Sequence, residues 1–269
     1  MRSYVHSYSE TEANRLRVQA GGIASLLHHD TIFPVGATVL EAGCGVGAQT
    51  AIIARQNPKT NFVSIDISTD SLKKAEKIIQ ENRLKNVTLQ HADIFQLPFS
   101  EAQFDHIFVC YVLEHLPKPE NALESLRRVL KSDGTITVIE GDHGSWYCYP
   151  RSKLAQKTVD CLVNIQAHLG GNALIGRELF PLLQRAQFRH IQVSPRMVYV
   201  DASKPQLVEE FSKGTFNAMV KGVKDLAMRM NLMDEADWDQ GIRDLYRATE
   251  ADGVFCYTFF KANGIKRVA

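Results

Sequence analysis

The chain has no long hydrophobic run: its strongest apolar stretch, Ile107 to Leu113, falls far short of the roughly 20 residues that a membrane-spanning helix requires. No membrane partner is expected. Charge of one sign is missing too, since 31 Lys and Arg stand against 30 Asp and Glu, and so balanced a chain carries no broad electrostatic footprint for nucleic acid. Cysteine is sparse. Cys44, Cys110, Cys148, Cys161 and Cys256 form an odd set with no C-x-x-C pair, which speaks for reduced thiols rather than a disulfide framework or a zinc knuckle. There is no H-E-x-x-H or other compact ligand spacing; His28-His29 falls at a helix end, where the dipole favours a partial positive charge, and no metal is expected. The start, Met1-Arg2-Ser3-Tyr4-Val5-His6, lacks an apolar core with a small-residue cleavage site, so the expected location is cytoplasmic.

What is present is an ordinary globular composition: 269 residues, 45% apolar and 23% charged, enough to bury a core without staples. Ser9-Glu10-Thr11-Glu12 has the form of a capping box, and Leu16, Ala20, Ile23 and Leu27 follow at helical spacing. Thr38 to Ala42 is a short β-type run that breaks into Gly43-Cys44-Gly45-Val46-Gly47, which predicts strand, glycine turn, helix. The alternation then repeats. Strands are expected at Asn61 to Ile67, Val87 to His91, Phe104 to Val109 and Thr135 to Glu140, with helices at Ser68 to Asn82 and Asn121 to Leu130. Such alternation implies an α/β fold, a Rossmann-like, doubly wound, mostly parallel sheet.

Beyond residue 141 the rhythm loosens. Helices are expected at Tyr149 to Leu169, Arg177 to Arg185, Ser203 to Met230 and Glu235 to Thr249, and strands at His190 to Val200 and Gly253 to Lys261. The helical pieces read as insertions beside the sheet that form a lid, seven strands in all.

A strand ending in glycines at the carboxyl edge of a parallel sheet makes a crevice where backbone can approach a ligand closely. The glycines alone leave the ligand open: Gly43-x-Gly45-x-x-Ala48 also satisfies the loose dinucleotide pattern. Three acids narrow it. Glu41, two residues before Gly43, would oppose a pyrophosphate but suits a ligand carrying an ammonium and a sulfonium. Asp66 ends the second strand, where a carboxylate can accept from both ribose hydroxyls. Asp93 ends the third, where it could accept from an adenine amino group while Ile67 and Ile94 sandwich the ring.

On Val39-Leu40-Glu41-Ala42-Gly43-Cys44-Gly45-Val46-Gly47, Asp66, Ala92-Asp93, Leu97-Pro98-Phe99 before Phe104-Asp105, and Val112-Leu113-Glu114-His115-Leu116 leading to Arg128-Val129-Leu130-Lys131-x-x-Gly134, the chain resembles the class I S-adenosylmethionine-dependent methyltransferases. The resemblance is to the small-molecule type related to ubiquinone and menaquinone biosynthesis enzymes. It implies that Glu41 through Gly47 line the methionine moiety, that Asp66 holds the ribose, that Ala92 and Asp93 meet the adenine, and that Cys110-Tyr111 pass beneath the methyl. The N-terminal helix would close over the cofactor, with Tyr8 or Arg15 at its carboxylate. Where family members carry Asp, this chain has Glu41, which keeps the charge.

The organisation expected is one methyltransferase domain over 1–269: a helical cover (1–33), a cofactor-binding core (34–141) and a substrate-side half (142–269) with insertions at 142–175 and 201–251. Methyl transfer is an in-line displacement, so holding a nucleophile about 3 Å from the methyl supplies much of the acceleration, several kcal/mol. A hydroxyl acceptor also needs a base, and a protonated amine must lose its proton; His115 and His143 are the candidates, with Glu114, Glu140 and Asp142 beside them. The expected activity is methyl transfer to an O, N or C atom of a small, partly apolar molecule, by a monomer or homodimer. Two alternatives stand: a catalytically silent adenosine-ligand-binding or assembly subunit, and an NAD-dependent oxidoreductase resting on the loose glycine pattern alone.

Overall fold

The computed structural model describes residues 21–267. The capping box at Ser9, Tyr8 and Arg15 lie outside them. The seven strands are β1 (Thr38–Ala42), β2 (Asn61–Asp66), β3 (Val87–His91), β4 (Phe104–Cys110), β5 (Leu130–Tyr149), β6 (Phe188–Val200) and β7 (Val254–Lys266), in one mixed sheet of order β3-β2-β1-β4-β5-β7-β6. Pairs β1–β2, β1–β4, β2–β3 and β4–β5 are parallel, as the strand and helix alternation predicts. The described residues pack as two compact units: 24–140, 175–195 and 260–267 in one, 21–23, 141–174 and 196–259 in the other.

In the first unit, helix α1 (Ala48–Gln56) follows the glycine loop and α2 (Thr69–Glu81) follows β2. Ser68 starts α2 by accepting from the Ser71 N–H at 3.1 Å, and Ala75, Ile78 and Ile79 form its buried face. Helix α3 (Pro119–Val129) begins with proline at its first position, where the missing N–H costs nothing, and buries Ala122, Leu123, Leu126 and Val129. Leu123, Leu126 and Val129 share one core with Leu40, Ile107, Val109, Ile136 and Val138 of the sheet and with Leu179, Leu182 and Leu183 of α5 (Leu179–Arg185), the helix that follows α4 (Lys153–His168) of the second unit. Full burial of each such aliphatic side chain contributes about 1.5–3 kcal/mol. Strand β5 departs from the expected start at Thr135. Phe104 pairs with Leu130, and the next paired residues are His106 and Thr135, so residues 131–134 bulge out of register with Asp133 in the left-handed region (φ 58°).

In the second unit, α4 (Lys153–His168) begins later than Tyr149, because the Ser152 hydroxyl caps it by accepting from the N–H groups of Leu154 and Ala155. It packs against α6 (Glu235–Arg247), and Ser152 donates to Asp244 of that helix at 2.5 Å. The single helix expected over Ser203 to Met230 is broken into an α-turn at Pro205–Leu207, a π-helix at Val208–Asn217 and short α-helices at Ala218–Lys221 and Lys224–Arg229. Periodicity alone does not register the wider π turn, and Gly222 gives the helix a weak point at its last break.

Candidate cofactor and active site

Parallel pairing brings the predicted cofactor residues to one edge of the sheet in the first unit. Ala42 pairs with Val109 and Asp66 with His91, so the loops leaving β1, β2, β3 and β4 start side by side. The N–H groups of Gly43 and Cys44 donate to the Ile65 carbonyl at 2.8 and 2.9 Å, which folds the glycine turn back over the end of β2. Gly43 has φ +76°, and a Cβ there would lie 2.5 Å from Val112 Cγ2; only glycine lets the two loops touch. Gly47, at φ +81°, precedes α1.

Gly45 differs in a way that bears on ligand binding. Its φ is +53°, yet a Cβ added to it would meet nothing within 4 Å. Packing does not require the side chain to be absent: the left-handed backbone favours glycine there, and the open space leaves the backbone free for a ligand to approach closely. Gly45→Ala is therefore expected to cost only the left-handed penalty, about 1–2 kcal/mol, while weakening S-adenosylhomocysteine binding at least tenfold, readable by calorimetry and denaturant titration.

Asp66 holds the loop from the other side. Its Oδ2 accepts from Gly45 N and its Oδ1 from Ser68 N, each at 2.8 Å; burial raises its pKa against the pull of these N–H groups. Each oxygen retains a second lone pair for a ligand hydroxyl. Beside it, Ile67 is exposed at 52%, unusual for an isoleucine next to a core strand and suited to covering a flat ring. His91 Nε2 lies 3.0 Å from the Ile67 carbonyl, tying this residue to the end of β3. There Ala92 is buried, Ile94 packs on the core, and Asp93 Oδ1 accepts from Phe95 N at 2.9 Å.

Glu41 is placed deeper than an acid aimed only at a ligand. It is 2% exposed, and its Oε2 accepts from Thr50 Oγ1 at 2.7 Å and Ser64 Oγ at 2.6 Å, fastening α1 and β2 to β1. Burial pushes its pKa up to about 7, opposed by the two hydroxyls and assisted by Asp66.

Past β4, Cys110 is buried and its thiol is driven well above its ordinary value by burial, with Glu140 adding to the effect, so it stays protonated and is no nucleophile. Tyr111 adopts φ +59°. The turn is held by a residue whose role the sequence did not reveal: Glu140 Oε1 accepts from Val112 N at 3.0 Å and Leu113 N at 2.8 Å. Burial and neighbouring Glu114 keep the Glu140 carboxyl well above the usual carboxylate range. His115 lies on the short 3-10 turn Leu113–His115, its Nε2 3.6 Å from Glu114 Oε1.

The other predicted base belongs to the second unit. His143 is buried, and its Nδ1 lies 2.7 Å from Tyr257 Oη. That approach requires Gly141, because any Cβ there would collide with the tyrosine hydroxyl. Nothing in the sequence pairs two residues 114 apart; the alternation of β5 and β7 gives the face, not the partner.

Residues 34–187 match the methyltransferase-domain family, more than half the chain. The chain belongs to that family. Its resemblance to methyltransferases, its Rossmann-like fold and its seven strands thus agree at the levels of family and architecture. Among curated proteins it is similar to an uncharacterised methyltransferase of Schizosaccharomyces pombe, 29% identical over 147 residues, 52% of each chain. It is also similar to demethylmenaquinone methyltransferase of Lactobacillus johnsonii, 31% identical over 107 residues, 39% of this chain and 44% of that one. The chain thus spans about half the length of the curated relatives it matches. A solved structure of Haemonchus contortus phosphoethanolamine N-methyltransferase 2, in complex with phosphomonomethylethanolamine and S-adenosylhomocysteine, shares the fold at TM-score 0.60 and 12% identity, over 99% of this chain and 61% of that one.

Proposed function

We propose that this protein is an enzyme that transfers a methyl group from S-adenosylmethionine to an O, N or C nucleophile of a small, partly apolar molecule. The observation that carries the reading is Gly45: a positive-φ residue with open space before it, its N–H held by Asp66. A nucleoside with an amino-acid tail suits the donors and acceptors gathered there. Asp66 accepts from the ribose hydroxyls, Asp93 from the adenine amino group with Ile67 and Ile94 on either face of the ring and Ala92 beside it. The segment Glu41 to Gly47 follows the methionine portion, and Cys110-Tyr111 lie beneath the methyl. When bound, the cofactor supplies an electrophilic methyl on sulfur. The chain's own contribution is to orient the acceptor and, where it must lose a proton, to remove it through His143 or His115. The relatives named above act on a quinone precursor and on a phosphorylated amine by their names, so family membership leaves the acceptor open.

Asp66→Ala tests the cofactor assignment. It is expected to weaken S-adenosylhomocysteine binding by about 1.5–3 kcal/mol, roughly 10- to 150-fold, the range for hydrogen bonds to a charged group. Calorimetry with S-adenosylhomocysteine and with NAD decides the ligand class, and preference for NAD would end the methyltransferase reading. A catalytically silent binding subunit is distinguished by the absence of any labelled methyl transfer into metabolite extracts at saturating cofactor.

A further inference from the structure

Strand β3 ends the sheet on one side, and its outer edge is open. The Asn86 carbonyl accepts from Phe62 N and the Asp66 carbonyl accepts from Ala92 N, so in this parallel pair the even-numbered residues of β3 serve β2. Val87, Leu89 and His91 therefore turn their backbone N–H and C=O groups outward, where they meet no partner among the described residues. Edge strands are normally blunted by proline, charged side chains or a bulge. β6, at the other side of the sheet, has Pro195, Arg189 and Arg196. β3 reads Val-Thr-Leu-Gln-His, in unbroken register with β2, and has none of these devices. Beside it, α2 packs on β2 and β3 and leaves a groove of about 560 Å³, lined by Leu72, Ile79, Val87 and Leu89 with Lys73 and Glu76 among them. Val87 and Leu89 point into this groove yet stay half-buried, because no described strand continues the sheet past them. Strand and groove both belong to the unit that holds residues 24–140.

We infer that a second copy of this chain docks on this edge, the two β3 strands pairing antiparallel about a two-fold axis at Leu89. The outward groups suit that register. Leu89 faces Leu89 of the second copy and Val87 faces its His91, and each such pair exchanges two N–H···O bonds. The pleat places these side chains on the helix side, so the apolar floor of the groove runs on from one copy into the other. A helix centred over two strands about 4.8 Å apart stands about 2.4 Å inside the edge, so the two α2 axes come to about 10 Å, the spacing of packed helices. Charge favours a second copy over an unrelated strand. Lys73 and Glu76 line the groove one turn apart, and the two-fold sets Lys73 of each copy against Glu76 of the other. The exposed contact of Lys73 with Asp70, at 3.0 Å, is too weak to hold it away. A face matched to itself in this way closes as a dimer and leaves no free β3 edge.

Light scattering and sedimentation of the full chain at tens of micromolar test the interface. Wild type is expected to be a dimer. Lys73→Glu and Glu76→Lys, both at exposed positions of α2, should each weaken it at least tenfold by setting like charges across the axis, and the double exchange Lys73→Glu/Glu76→Lys should restore it. Leu89→Cys should give a disulfide-linked dimer on mild oxidation, since a hydrogen-bonded antiparallel pair holds its Cα atoms about 5.5 Å apart, within reach of a disulfide. Val87→Cys should not, because its two copies stand about 13–14 Å apart along the strands. A monomeric wild type overturns the inference and leaves the edge to a strand of another protein. So does a dimer unmoved by either charge reversal, or one in which a folded Leu89→Cys does not cross-link. Should Leu89→Cys not fold, the charge reversals and their rescue decide alone.

Discussion

Asp30→Ala is expected to lower stability by about 3 kcal/mol, the low end of the range for stranding one member of a buried ion pair. Lys261, on β7, is 1% exposed, and its ammonium donates to Asp30 Oδ1 at 2.6 Å, Thr31 Oγ1 at 2.7 Å and the Leu27 carbonyl at 3.4 Å. Removing the carboxylate leaves the buried cation without the acid that faces it at 2.6 Å. The low end applies because the Asp30 side chain is itself 41% exposed. The double variant Asp30→Ala/Lys261→Met should recover at least half of the loss, since neither charge of the pair then remains to be stranded. Urea unfolding of the three proteins measures it; a single Asp30→Ala variant within 1 kcal/mol of wild type would show that this pair does not anchor the segment 27–31.

The second expected result concerns pH. Glu41 titrates at about 7 in the folded protein, chiefly from burial, against an ordinary value of 4.5. Its raised pKa means that the folded state holds the proton more tightly, so its contribution is complete below pH 4.5 and is lost as pH rises through 7, about 3 kcal/mol in all. His28 does the opposite. Burial lowers its pKa from 6.5 to about 4, so its contribution is present above 6.5 and lost as pH falls through 4, again about 3 kcal/mol. Between pH 4.5 and 6.5 the two slopes cancel, and these two groups leave wild-type stability level there. Glu41→Gln should uncover stability that rises with pH across that interval, and His28→Gln stability that falls with pH from 4.5 to 7. Parallel pH profiles for wild type and both variants would refute the burial of these charges. A cationic ligand end favours ionised Glu41, so S-adenosylmethionine should bind more tightly as pH rises through 7, a gain Glu41→Gln would lack.

Much of the candidate cofactor edge was legible because its signals are local. Val39 to Ala42 is a buried strand, positive-φ glycines end it, and Asp66 sits at the end of the next strand, all within 30 residues. Ser68 capped its helix for the same reason. What the residues around Glu41 do was not legible. Thr50 and Ser64 are unremarkable in sequence, and only the packing of α1 and β2 on β1 turns them into donors that draw Glu41 inward. The π-helix escaped too, since apolar spacing over Ser203 to Met230 fits a 3.6-residue repeat as well as a wider turn in pieces.

Alternating hydrophobic runs, glycines at a strand end and acids at or near the ends of the first three strands sufficed, without any contact known, to determine a parallel α/β sheet and to bring those acids to one of its edges. Only the tertiary structure decided that Lys261 pins residues 27–31 from more than 200 positions away, that Glu140 holds the turn after β4, and that Tyr257 meets His143. The physical reason is that backbone periodicity is set by near neighbours, whereas which buried polar group meets which depends on how completed elements pack.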